Sequence, residues 1–281
     1  MMRQPFEASF SMTIATIRPG SRRWAGYWGV LALGLCAFAS APAHAQGLGV
    51  TSQGSTGGLV IPSADVLPTG TMALTYGNYQ EPQLGTHSTR QNTSVGVGLL
   101  NHVELFGRVT NYNNPVPGSI LLNGVRDLSA NLKVQLPTPW SVGPRLALGL
   151  NDIAGGAANF KSKYLVASKR YGPLGVSLGY ALGTAHGHPA TFDGPFGGLE
   201  WRLGNTGLSL LAEHDGKQNH AGLRWHSPPL SALGGAQLVG SLQRSFHAIT
   251  PTGASVDTGN FALSLVIPLG DAANARAQAE E

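Results

Sequence analysis

The sequence predicts an all-β protein, a transmembrane up-and-down antiparallel β-barrel of about 12 strands, and three observations carry that expectation. The first is period-two alternation. In the segment from Leu146 to Arg170, Leu146, Leu148 and Leu150 alternate with Ala147, Gly149 and Asn151. After the turn, Tyr164 and Val166 alternate with Lys163, Ala167 and Lys169, so each strand reads as one apolar and one small or polar face. The second is composition. Charged residues make up 11% of the chain, against roughly 25% in soluble domains, too few to cover a globule of 281 residues with water-seeking side chains. Mean hydropathy is zero, and no run after residue 45 approaches the roughly 18 apolar residues of a spanning helix. The third is loop length. Connections after even-numbered candidate strands are mostly short and those after odd-numbered ones mostly long, as in barrels with short periplasmic turns and long external loops.

At the start, Arg18, Arg22 and Arg23 precede an apolar run from Trp28 to Phe38, which is followed by Ala43, His44 and Ala45. Basic, apolar and small residues in this order read as a secretory signal peptide over 1–45, cleaved after Ala45. The single cysteine, Cys36, lies in the apolar run, so the mature chain would have no disulfide and no thiol chemistry. Leu35 stands before it where a lipoprotein signal has a small residue, which disfavours lipidation.

Residues 46–70 are rich in Gly, Ser and Thr and lack a sustained period, and they are expected to tuck against or into the barrel. The barrel spans 71–270, with candidate strands at 71–79, 91–100, 103–111, 127–136, 144–152, 162–171, 174–184, 196–203, 207–215, 219–227, 237–246 and 260–269. Each has the length that crosses an outer membrane when tilted. The clearest alternation puts Leu128, Ala130, Leu132, Val134 and Leu136 on the lipid face and Asp127, Ser129, Asn131, Lys133 and Gln135 on the lumen face. An arginine at Leu132 is therefore expected to cost stability, and one at Asn131 to be tolerated. Phe261, Leu263, Leu265 and Ile267 repeat the pattern near the end. Two aromatic girdles are expected, Trp140, Tyr171, Trp201 and Trp225 at one end, and Tyr76, Tyr79, Tyr112, Phe160, Tyr164 and Phe246 at the other. Residues 271–281 read as a flexible tail.

The net charge of +4 owes part of its value to the leader, and later residues show no Lys/Arg cluster, so nucleic acid is not an expected partner. Enzyme signatures are also missing, with no GxSxG, no phosphate loop and no glycosidase-like carboxylate pair. Glu213 and His214 are adjacent and point to opposite faces of one strand, while Ser209 and Glu213 share a face as chance allows. His186 and His188 have no nearby carboxylate before Asp193, which favours a chance pair over a metal site. No catalytic residue, cofactor or metal is expected. Glu200, Arg202, Glu213, His220 and Arg224 fall on the lumen face of strands eight to ten. Cross-strand pairing within a narrow interior is the favoured reading, and a polar track for a sugar chain is the alternative.

Three stretches also resemble a known family. Gly58-Leu59-Val60-Ile61-Pro62-Ser63-Ala64, Leu148-Gly149-Leu150-Asn151-Asp152-Ile153-Ala154-Gly155-Gly156 and Tyr164-Leu165-Val166-Ala167-Ser168-Lys169-Arg170-Tyr171 are similar, in order and spacing, to the N-terminal region of YjbH-type proteins. The motif residues are Pro62, Asp152, Gly155, Gly156, Ser168, Lys169 and Arg170. Read without the family, Asp152 and the two glycines suit a tight loop that needs positive φ, more than a cation or sugar site. The resemblance extends to about Tyr180. It implies a non-enzymatic barrel in the outer membrane of a Gram-negative bacterium that takes part in exopolysaccharide or capsule export or surface assembly. Its implied partners are outer-membrane lipid, an exopolysaccharide chain and other export proteins. A general small porin or structural barrel is the rival reading, and a lipid- or glycan-modifying barrel enzyme, which needs a Ser/His/acid cluster near one rim, is a more distant one. Family members are typically longer than this chain, and many carry a lipobox.

Overall fold

The computed structural model describes residues 47–79, 89–113, 125–154, 161–183, 193–249 and 255–270. The expected leader and its cleavage after Ala45, the tail, Gly155, Gly156, Phe160, His186 and His188 lie outside the described residues.

Twelve antiparallel strands close into one barrel. In chain order they are β1 Thr71–Gly77, β2 Thr89–Leu99, β3 Val103–Asn113, β4 Val125–Leu136, β5 Arg145–Ala154, β6 Ser162–Tyr171, β7 Leu174–Gly183, β8 Gly194–Arg202, β9 Leu208–His214, β10 Asn219–His226, β11 Gln237–Ile249 and β12 Ser255–Pro268. Each pairs with its sequence neighbours, and β1 pairs with β12 from Thr71 opposite Pro268 to Gly77 opposite Ala262. Closure satisfies every edge, the condition a sheet must meet if lipid is to surround it. All twelve expected strands are present. Strands β11 and β12 extend three and five residues further toward the long connections than their alternation suggests, across a register shift between Ser245 and Ala248.

The faces of β4 are as expected. Leu128 is 60% exposed, whereas Asn131 and Lys133 point inward and are buried. An outward belt of Leu105, Leu148, Leu165, Leu178, Leu199, Leu210, Leu242 and Leu263 surrounds the wall. The belt has the placement of the outward apolar band of a membrane barrel.

Three expectations about facing are corrected. In β6, Tyr164 and Val166 point into the lumen and Lys163 and Leu165 point out, the reverse of the face suggested by alternation. An inward apolar face is stable here because the lumen is filled with protein, as described below. For the same reason Tyr79 and Tyr164 are buried and do not belong to the outer aromatic girdle, while Tyr76, Trp140, Tyr171 and Trp201 are exposed. Finally, Asn131 is not a tolerant lumen position. Its amide donates to Phe106 O (3.1 Å) and its oxygen accepts the N–H of Asp152 (2.9 Å). An arginine there has neither the space nor the partners.

That second bond explains Asp152. Positive φ was expected around Gly155 and Gly156, but Asp152 itself adopts it, with φ of 57°. It sits where the β4–β5 register shifts between Ala130 and Leu132. Residues 151–153 here oppose Asn131 alone, and Asp152 in their middle takes the left-handed conformation that Asp tolerates better than most residues.

Candidate functional site

The lumen is occupied by the chain's own N-terminal segment, residues 47–70. This segment lacks regular structure and carries many backbone groups, which it satisfies first within itself. Ser52 N–H donates to Leu59 O (2.8 Å), Gly57 N–H to Gly49 O (2.9 Å), Gly58 N–H to Ile61 O (2.9 Å) and Ser63 N–H to Thr56 O (3.1 Å). The result is a folded-back knot with isolated bridges Val50 to Thr56 and Gly57 to Pro62. Pro62 thus stands at the non-hydrogen-bonded position of its bridge, flanked by the Gly58 to Ile61 and Ser63 to Thr56 bonds, where its lack of an N–H costs nothing.

Charged residues of the wall bind what the knot leaves over. Glu213 of β9 accepts three backbone N–H groups, those of Leu59 (2.5 Å), Val60 (2.9 Å) and Ile61 (3.1 Å). Arg224 of β10 donates to Gly57 O (2.9 Å) and to Gly58 O. On the opposite side, Glu104 of β3 accepts the N–H groups of Thr56 and Leu67, each at 2.9 Å, and its neighbour in register, Lys133 of β4, donates to Thr56 O at 2.8 Å. Glu104 and Lys133 are themselves 3.5 Å apart and both are fully buried. Ser168 accepts from Ala64 N–H (2.9 Å), Gln135 donates to Ala64 O (2.9 Å), and Arg108 donates to Gln53 (2.6 Å).

Apolar contacts complete the seat. Leu59, Val60, Ile61 and Ala64 pack in one cluster with Tyr164, Val166, Phe196 and Leu211 of the wall. Val50 and Leu67 pack in a second with Ala73, Val239 and Val266. Full burial of each large aliphatic side chain is worth about 1.5–3 kcal/mol, so the segment is an integral part of the folded lumen. Close approach also fixes glycines. A Cβ on Gly58 would overlap Glu213 Oε1, and one on Gly49 would overlap Arg224 Nη1. Gly58→Ala is accordingly expected to lower the thermal unfolding midpoint by pushing the carboxylate off its three donors. Gly240→Ala, with open space at its Cβ, is the matched control.

The five lumen residues singled out in the sequence all face inward but do three different things. Glu213 and Arg224 hold the segment. Glu200 pairs with Arg170 across β7 and lies 4.0 Å from Arg224. Arg202 stands at the mouth beside them. His220 belongs to another group, toward the long-connection end, where its Nε2 lies 3.0 Å from Asp215 Oδ2 and its Nδ1 lies 2.9 Å from Ser245 Oγ. Gln218 donates to Tyr79 OH (2.7 Å), and the Tyr79 ring meets His220 edge-on at 5.8 Å.

This Ser-His-Asp arrangement has the partners of a hydrolytic triad at hydrogen-bonding distance. Ser245 and His220, however, are at most 1% exposed, and the Tyr79 ring packs against His220, so the hydroxyl is shielded from solvent. The arrangement is a polar layer that ties β9, β10 and β11 to the end of β1. Burial alone would raise the Asp215 carboxyl. The hydrogen bond and charge of His220, with the N–H groups of Gln218 and Lys217, outweigh burial and hold it below the ordinary carboxylate range. A folded value below the unfolded one means that this stabilisation is full above the unfolded carboxyl value, about 3.9. It is lost as pH falls through the depressed folded value. Asp215→Asn is expected to be less stable at neutral pH and to lose less on acidification below about pH 4 than the parent, as read from melting midpoints across pH.

Glu104, Arg108 and Lys133 are the segment-holding residues that sequence reasoning did not single out. Their inward facing was legible from alternation, but the convergence of Glu104 and Lys133 on Thr56, and the contact of Arg108 with Gln53, depend on register and on a segment with no period of its own. Ser168 of the family motif holds Ala64, while Lys169 points outward with its ammonium 5.0 Å from the Tyr171 ring centre.

Fold and site together define a closed twelve-stranded barrel whose lumen is filled by its own N-terminal segment. The family model described as YjbH, exopolysaccharide biosynthesis protein YbjH, matches residues 50–190, and the chain belongs to that family. The matched range takes in the lumen segment and the strands through β7. Comparison with curated proteins gives no match. Among solved structures, a NanC porin in a rhombohedral crystal form is similar, with a TM-score of 0.44 and 9% identity over 70% of this chain and 100% of that one.

Proposed function

We propose that this chain is a non-enzymatic outer-membrane barrel that serves exopolysaccharide export or surface assembly, with a lumen closed at rest by residues 47–70. Membership of the exopolysaccharide family carries the polysaccharide part. The membrane part is supported by the continuous outward belt of aliphatic side chains on a barrel without free edges. A non-enzymatic role is favoured by the solvent-shielded Ser245. The filled lumen disfavours a constitutively open general porin.

Two experiments test this reading. Heat-modifiable migration in the outer-membrane fraction, together with loss of about 2–4 kcal/mol in Leu132→Arg, supports membrane insertion, and recovery as a soluble protein contradicts it. Deletion of the gene is expected to lower secreted polymer, and unchanged polymer contradicts the exopolysaccharide role. Passage of a sugar chain through the lumen requires the segment to leave. A cysteine pair at Ala64 and Ser168, whose backbone and side chain are in hydrogen-bond contact, separates the two forms of the role. Export through the lumen predicts that the oxidised pair blocks secretion and that reductant restores it. Surface assembly predicts normal secretion with the pair closed.

A further inference from the structure

We propose that the lumen mouth at the short-turn end binds one carboxylate of an acidic sugar residue, and that Arg202 is the group that holds it. The proposal rests on the exopolysaccharide reading and adds the chemical class of the saccharide. A cavity of about 60 Å³ lies between the segment and strands β5 to β9 at this mouth, lined in part by Asp65, Arg145, Arg170, Glu200, Arg202 and Glu213. The lining cations Arg145, Lys169, Arg170 and Arg202 outnumber the carboxylates Asp65, Glu200 and Glu213, so positive charge is in excess. Lys169 is turned outward over the Tyr171 ring.

The pairings show where that charge resides. Arg145 is bound to Asp65 at 2.7 Å, and Arg170 to Glu200. Arg224 is directed at the carbonyls of Gly57 and Gly58, and Glu213 is taken up by three backbone donors. Arg202 is left over. Its backbone N–H is fixed on Pro173 O at 3.0 Å, while its Nε is shielded from water and has no acceptor among the described residues. A shielded donor on a half-buried guanidinium is costly unless an oxygen reaches it.

A carboxylate answers this need. Its two oxygens match the planar donor fork of arginine, and its negative charge answers the positive excess. A phosphate near two negative charges would bring more negative charge against Asp65 and Glu200. The cavity has room for a carboxylate or a few waters but not for a sugar ring, so the ring stays at the mouth and only its charged group enters. The site thus reads the charge of a polymer presented at this end. A neutral glycan has no group for it.

The test uses purified full-length barrel in detergent, titrated with trigalacturonate, maltotriose and inorganic phosphate at matched ionic strength. Trigalacturonate is expected to bind, and both others at least about tenfold more weakly. Arg202→Ala is expected to weaken trigalacturonate binding by about tenfold or more, with the heat-modifiable folded fraction unchanged. Arg202→Lys keeps the charge without the fork, is expected to fall between the two, and serves as the comparison if the alanine variant does not fold. Equal affinity for maltotriose, tighter binding of phosphate, no trigalacturonate binding, or undiminished binding by both folded variants overturns the proposal. Gene deletion separates it from the reading beneath. Lowered secretion with no trigalacturonate binding sinks the carboxylate site alone, and unchanged secretion sinks the exopolysaccharide role whatever the titration gives.

Discussion

Glu213→Ala is expected to release the central turn of the N-terminal segment while leaving the barrel closed. Glu213 is buried, and its two oxygens accept the N–H groups of Leu59, Val60 and Ile61. An unsatisfied buried donor costs about 1–3 kcal/mol, so three at once make about 3 kcal/mol a lower estimate. The same substitution leaves Arg224 with less negative charge around it. Limited proteolysis should cut the segment near Gly57 and Gly58 in the variant and spare it in the parent, with strand content unchanged by circular dichroism. Glu213→Gln, which keeps one accepting oxygen, should be intermediate. A protected segment in the alanine variant would show that the apolar clusters hold it without the carboxylate.

The second large effect lies across the lumen. Lys133→Ala is expected to cost about 3–5 kcal/mol, because it leaves Glu104 as a buried charge without its cation. The double variant Lys133→Met with Glu104→Gln removes both charges and should be less destabilised than the two single changes predict together. The amide can still accept one of the two N–H groups that Glu104 serves, those of Thr56 and Leu67. Denaturant midpoints of the four proteins form the cycle, and simple additivity would mean that the two residues act independently despite their 3.5 Å separation.

What the sequence made legible was the wall. Period-two alternation is a direct consequence of strand geometry, and it located all twelve strands to within a few residues because a closed barrel repeats one environment around its circumference. Alternation also placed Glu200, Arg202, Glu213, His220 and Arg224 on the inner face. It could not say what they meet there. Strand period carries no information about a partner 154 residues away, as Glu213 is from Leu59. Residues 46–70 were recognisable as irregular and as tucked against or into the barrel, but an irregular segment has no face, so its contacts were invisible. The reversal in β6 has the same origin. Tyr164 and Val166 look lipid-facing only when the lumen is taken to be wet and polar. Asp152 was read as part of a loop because Gly155 and Gly156 follow it, whereas its positive φ belongs to a bulge set by Asn131 on the neighbouring strand.

The most direct measurement of the central claim, a barrel closed by its own N-terminal segment, is single-channel recording of the purified protein in planar bilayers beside a variant lacking residues 47–66. The filled lumen predicts no steady conductance from the parent, and discrete open channels from the variant as far as it folds, which heat-modifiable migration reports in the same preparation. A steady open channel from the parent, unchanged when the segment is removed, would contradict the account.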